Sequence, residues 1–405
     1  MTESEKREAE RKKAEKKERR LLRRHRRVFA FLRVLLGGFF RRKFNYSYDS
    51  LAELKGPYLL LANHNMELDP ALVGIAAKHQ LYFVASEHIT RKGIGGWILK
   101  TFFRPIIHTK GKTGARSVME IIKTLKRGSS VCLFAEGNRS FNGVTGDILP
   151  ATGKLARAAG ASLVTFRLEG GYLTQPRFSL SLRKGKIFGR LVHVYTPEEL
   201  KAMSEEEMNA AIVRDLHEDA YETEAREKVS FRGRNLTEGI ESTLFYCPSC
   251  GAFSTLKSTK DAVQCSCGFR AVYGEYGELT CSDGVTRNMR DWDRKMHEEL
   301  RRRVLDGSFE GFTDEISVRL IGADHKAGAA HKGILQASLD GISFDGTKLT
   351  YDDIAGVAIF SRNFMNIIVG AEERQYDVRG ELNFCALKYM YLWKMMKEEL
   401  QYDHS

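Results

Sequence analysis

Short apolar runs alternate with segments of helical period through residues 45–200. Tyr58-Leu-Leu-Leu-Ala62, Leu81-Tyr-Phe-Val-Ala85, Val131-Cys-Leu-Phe-Ala135 and Leu163-Val-Thr-Phe166 are continuous apolar stretches, the pattern of strands buried on both faces. Between them, Ala115 to Lys126 places Val118, Ile121, Ile122 and Leu125 at helical spacing. Thr152 to Ala159 reads likewise, and Gly128 and Gly160 stand where the two helices should stop. This alternation predicts an α/β domain, a mixed sheet flanked by helices. Thr196-Pro-Glu-Glu199 and Ser204-Glu-Glu-Glu207 have the form of capping boxes and predict helices running to about Glu227.

The texture changes after about Thr237. A charged helix is expected over 288–305, where Trp292, Met296, Leu300 and Val304 recur four apart. Seven short strands, divided by Asp-Gly, Gly and Asn-rich turns, fill 314–380 and predict a small β-sandwich or barrel. A helix from about Phe384 closes it, with Phe384, Leu387, Tyr391 and Met395 on one stripe. Near the other terminus, Leu21, Val28, Leu32, Leu35 and Phe39 share one helical face, which Gly37–Gly38 is expected to interrupt. The predicted domains are therefore 1–44, 45–236, 237–285, a linker helix over 286–312, and 313–401.

Charge changes how the first segment is read. The chain of 405 residues has a net charge of +12, yet residues 1–44 hold 17 Lys+Arg against 6 Asp+Glu, so the remainder is almost neutral. This weighs against a nucleic-acid binder with basic residues spread over its domains, and no nucleic-acid partner is expected. Beside the apolar stripe stand Arg23, Arg24, Arg26, Arg27, Arg33, Arg41 and Arg42, so the helix suits an anionic membrane surface. The longest apolar run, Val28 to Phe40, contains Arg33 and is too short to span a bilayer. Neither a secretory signal nor a disulfide scaffold is expected, since the terminus is charged and the seven cysteines are odd in number.

Two loops carry candidate chemistry. Asn63-His-Asn-Met-Glu-Leu-Asp-Pro70 follows an apolar strand, and His64 and Asp69 can meet only if the chain turns between them. Asp69 is an N-cap candidate and Pro70 suits the first helical turn. A carboxylate that accepts from Nδ1–H fixes the tautomer of His64 and stabilises the imidazolium formed when Nε2 takes a proton. The second loop, Phe134-Ala-Glu-Gly-Asn-Arg-Ser140, also follows a strand. Gly137 permits positive φ, Arg139 offers a fork matched to phosphate, and Glu136 can accept from a hydroxyl or orient that arginine.

In this order and spacing, N-H-x4-D and F-x-E-G-x-R-S resemble the glycerolipid acyltransferases of the lysophosphatidic acid acyltransferase type, over roughly residues 45–225. The resemblance implies that an acyl group passes from acyl-CoA or an acyl carrier protein thioester to the free hydroxyl of lysophosphatidic acid, giving phosphatidic acid. It makes His64 the general base and Asp69 its orienter, with Asn63, Lys110, Glu136, Gly137, Asn138 and Arg139 toward the lysophospholipid acceptor. Ser140 needs no acyl-enzyme role. The sequence departs from the family pattern at Ala135, Asn138, Lys110 and Thr165, so another lysophospholipid or an amino-lipid is the alternative acceptor.

Cys247-Pro-Ser-Cys250 and Cys265-Ser-Cys267-Gly268 resemble a zinc ribbon, in which four thiolates close one structural site. The β-rich segment after it resembles pleckstrin-homology-like domains in its strands-then-helix order. Together these features predict a peripheral enzyme on the cytoplasmic side of a membrane. A nucleic-acid-binding zinc-ribbon protein is the alternative from another class.

Overall fold

The computed structural model describes residues 3–86, 97, 101, 103–108, 114–322, 327–370 and 374–403. The chain groups into two compact units, one of 1–137, 147–169 and 186–218, the other of 138–146, 170–185 and 219–405. This partition differs from a linear succession of domains: 1–44 groups with the first unit, and two short segments from the middle of the chain group with the second.

In the first unit, strands β1 (Ser47–Tyr48), β2 (Tyr58–Ala62), β3 (Leu81–Ser86), β4 (Ile106–His108), β5 (Ser130–Phe134), β6 (Ser162–Glu169) and β7 (Phe188–Tyr195) form one sheet in the order β1-β7-β6-β2-β5-β3-β4. Only β6 and β7 pair antiparallel; the other neighbours are parallel. The four apolar runs read from the sequence are its central strands. Period-two alternation sends Leu59 and Leu61 into a core shared with Ile121, Leu125, Leu155 and Ile212, from helices α3 (Ala115–Lys126), α4 (Ala151–Ala159) and α6 (Glu205–Leu216). Gly128 and Gly160 follow the first two of these helices at φ +79° and +61°. Both capping boxes form, on α5 (Pro197–Ala202) and α6. The predicted run to Glu227 breaks at His217–Asp219, where Asp219 caps a separate helix, α7 (Ala220–Glu227), in the second unit.

Helix α1 (Glu3–Phe44) passes through Gly37 and Gly38 without interruption, contrary to expectation. A glycine costs about 1 kcal/mol in a helix interior, and packing offsets it. Phe29, Phe40 and Phe44 are buried. A Cβ on Gly37 would lie 3.7 Å from Ile75 Cγ2, and one on Gly74 would lie 3.5 Å from Phe29, so α1 rests against α2 (Asp69–Ala76). The same helix exposes Phe31, Val34, Leu35 and Phe39. Thus it buries one apolar face on its own unit and leaves a second in solvent. Among the described residues no helix is long and apolar enough to cross a membrane.

In the second unit, five antiparallel strands between Leu256 and Asn288 form one sheet. They precede α8 (Met289–Leu305), whose Trp292, Met296 and Leu300 are buried as their spacing predicts. The seven predicted strands of the C-terminal region form a single antiparallel sheet, not a two-sheet sandwich. Its first strand, Phe312–Ile321, pairs with both the second, His331–Ser338, and the last, Arg374–Gly380. The strands Thr347–Leu349 and Ile354–Ser361 are its two edges. The closing helix, Ala386–Asp403, buries Leu387, Leu392 and Met395. It also buries Lys388, whose ammonium lies 2.7 Å from Asp314 and 2.8 Å from the Ser254 hydroxyl.

Candidate active site

The site grows from the carboxyl-terminal ends of two adjacent parallel strands. β2 ends at Ala62 and β5 at Phe134, which are paired across the sheet, so the loops that follow emerge side by side. This is where open α/β sheets place ligands.

Asp69 organises the first loop. Its Oδ2 accepts from His64 Nδ1 at 2.8 Å, from the Asn65 N–H at 2.6 Å and from the Met66 N–H at 2.9 Å, while its side chain is wholly buried. Asp69 is not the N-cap. Leu68 occupies that position without a side-chain cap bond, and Asp69 is the first helical residue. The carboxylate turns back across the loop because three donors converge on it there. With Nδ1–H donated to Asp69, Nε2 is the nitrogen placed to take a proton. The His64 side chain is 22% exposed, and its ring stacks on Phe134 with centroids 4.5 Å apart.

Glu136, from the second loop, accepts the His64 backbone N–H through Oε1 at 2.5 Å. It therefore ties the two motif loops together. Gly137 follows at φ +68°, a conformation that favours glycine, and no atom lies within 4 Å of where its Cβ would be. Backbone conformation, not crowding, requires glycine here.

Asn63 departs from the expected substrate contact. It is wholly buried, and its amide exchanges two hydrogen bonds with the Leu168 backbone, at 2.9 and 2.7 Å. It ties the end of β2 to β6. Asn65, which no motif singles out, donates to Leu168 O and Glu218 Oε2, both at 2.9 Å. Its partners lie 103 and 153 residues along the chain, so the only local signal was its place between His64 and Asp69. Thr165, one of the departures from the family pattern, donates its hydroxyl to Asp215 at 2.9 Å, and Tyr195 donates to the same oxygen at 2.7 Å. Burial first, and then that bond, push Tyr195 to about 12.

Lys110 lies outside the described residues. Asn138 and Arg139 group with the second unit, where both are half-buried and the Arg139 carbonyl accepts from Arg177 at 3.0 Å. Ser140 is buried. Its hydroxyl donates to Val144 O at 2.7 Å and accepts from the Gly143 N–H at 2.9 Å, a turn-holding role and not that of a nucleophile. Burial, reinforced by Asp69, holds the Cys132 thiol well above its ordinary range, so it stays protonated and unreactive.

Residues 43–169 match the model of the Acyltransferase family. Residues 43–169 carry an acyltransferase domain. Both motif loops, including His64, Asp69 and the stretch from Glu136 to Arg139, fall within the acyltransferase match. Among solved structures, the chain is similar to the 1-acyl-sn-glycerophosphate (LPA) acyltransferase PlsC of Thermotoga maritima. The identity is 20% and the TM-score 0.37, covering 52% of this chain and 79% of that one.

In the second unit, Cys247, Cys250, Cys265 and Cys267 bring their sulfurs within 4.8 Å of one another. The Cys247–Cys267 and Cys250–Cys265 separations are both 3.8 Å. Four thiolates about 2.3 Å from one zinc ion stand about 3.8 Å apart along each tetrahedral edge, so this donor set fits zinc. Gly251 and Gly268 adopt φ +74° and +93° beside the two cysteine pairs. The one-residue gap between Cys265 and Cys267 does not keep either sulfur from the cluster.

Proposed function

We propose that the acyltransferase domain moves a fatty acyl group from a thioester, acyl-CoA or acyl carrier protein, to the free hydroxyl of lysophosphatidate, yielding phosphatidate. The observation that carries this reading is the 2.8 Å contact from His64 Nδ1 to a buried carboxylate also held by two backbone N–H groups. His64 Nε2 takes the hydroxyl proton as the acceptor oxygen attacks the thioester carbonyl. The tetrahedral adduct collapses, the C–S bond breaks, and the imidazolium returns that proton to the thiolate. Asp69 holds the ring and stabilises its charged form. The proton balance closes without a serine or cysteine intermediate. Arg139, three residues after Glu136 in the motif, is assigned to the acceptor's phosphate on chemical grounds.

The exposed Phe31, Val34, Leu35 and Phe39 on α1, with Arg41 and Arg42 also exposed, support docking of this helix on an anionic membrane, peripherally and from the cytoplasmic side. The four-cysteine cluster supports a structural zinc ion; four thiolates leave no open coordination position, so the ion takes no part in acyl transfer. The order of seven strands and one helix supports a PH-like reading of the last segment.

The test is an acceptor screen with full-length protein, acyl-CoA and mixed micelles, followed by mass spectrometry of the products. Phosphatidate should form fastest from lysophosphatidate. Faster acylation of a different lysophospholipid or of an amino-lipid would replace the acceptor, and no acylation of any would remove the reading.

A further inference from the structure

The opposite ends of the same strands border a cavity of about 370 Å³. Arg26 and Phe29 of α1, Tyr58 at the start of β2, Lys78 and His79 ahead of β3, and Ser129 ahead of β5 line it. His64 and Glu136 follow the carboxyl-terminal ends of β2 and β5, so this cavity is not the acyl-transfer site. No carboxylate lines it among the described residues.

Tyr58 is 1% exposed, and its hydroxyl has no hydrogen-bond partner among the described residues. Buried donors are rarely left so. Burial pushes this phenol up to about 12, so near neutral pH it offers a proton and carries no charge. A guanidinium, an ammonium, an imidazole and two hydroxyls, with no acid among them, match an anion that has several acceptor oxygens.

We infer that this cavity binds a soluble phosphate-bearing molecule at a second site, separate from the place of acyl transfer. The alternative source of the same chemistry is a lipid headgroup, and the placement of α1 decides against it. At about 100° per residue, the side of α1 that carries Arg26 and Phe29 is roughly opposite the side that carries Phe31, Val34, Leu35 and Phe39. A bilayer touching the exposed stripe therefore meets the helix on its far side from the cavity.

The experiment is calorimetric titration of the full chain with inorganic phosphate and with glycerol 3-phosphate, alongside co-sedimentation with phosphatidylcholine vesicles with and without phosphatidate. Lys78→Ala alters an exposed side chain, and Tyr58→Phe removes only a hydroxyl. Both should bind a soluble phosphate more weakly, Lys78→Ala by about tenfold or more, with vesicle binding unchanged. Arg139→Ala should keep the binding component that Lys78→Ala weakens and lose only a separate component belonging to the acceptor site. The inference is overturned if neither probe binds the wild type, if binding is lost only in Arg139→Ala, or if Lys78→Ala affects only phosphatidate vesicles.

Discussion

Replacing Asp69 by Asn keeps the size of the side chain and removes its charge. At 2.8 Å, a carboxylate attracts an imidazolium by roughly 6 kcal/mol at an effective dielectric of about 20. The exposed part of the His64 ring reduces this by solvent screening. Even half of it, about 3 kcal/mol, corresponds to a rate factor of roughly 150, and general-base catalysis as a whole contributes about 10²–10⁴-fold. The expected result is therefore a fall in kcat of about 10²–10⁴, read from thiol release with acyl-CoA and lysophosphatidate. Stability needs its own measurement. Asp69 Oδ1 is buried without a partner among the described residues, so an amide nitrogen there costs about 1–3 kcal/mol, and thermal melting gives the folded fraction. The double variant with His64→Ala should be hardly slower than either single one, because the two residues act as a unit. A folded Asp69→Asn protein within about threefold of wild-type kcat would refute the reasoning.

Four further outcomes are expected. Cys250→Ser should abolish stoichiometric zinc in elemental analysis and lower the melting temperature; wild-type protein purified without zinc in zinc-supplied medium would contradict the metal assignment. Asp293 is held at about 6, raised by burial against the pull of hydrogen bonds from Tyr391 and Asn142. Its folded form binds the proton more tightly than the unfolded chain does, so its contribution is full below about pH 4. It is lost as pH rises through 6, by about 3 kcal/mol, and urea unfolding of Asp293→Asn should lack that part of the wild-type slope; coincident slopes would count against it. Gly137→Ala should cost about 1–2 kcal/mol from the positive φ alone, as measured by urea unfolding, and an unchanged midpoint would show that the loop relaxes. Phe31→Ser with Leu35→Ser should weaken binding to anionic vesicles at least about tenfold while turnover of a short-chain soluble substrate persists; unchanged vesicle binding would remove α1 as the anchor.

The sheet was readable from the sequence because its central strands are largely buried, which leaves continuous apolar runs at Tyr58–Ala62 and Val131–Ala135. The pairing of His64 with Asp69 was readable too, since both lie in one short loop. What was hidden depends on distant partners. Gly37 looks like a break until Ile75 is seen against it. Asn63 looks like a ligand-facing amide until Leu168 is found to occupy both its ends. Asp69 looks like a cap because Asp-Pro usually is one, yet three converging donors draw its carboxylate back over the loop. Thr165 departs from the family pattern at a position where Asp215, fifty residues later, accepts its hydroxyl.

The most direct measurement is phosphatidate formation by purified His64→Ala protein from acyl-CoA and lysophosphatidate, compared with the wild type at equal folded concentration. The account predicts wild-type turnover and a loss of at least about a hundredfold in the variant. Turnover by His64→Ala near the wild-type rate would contradict it.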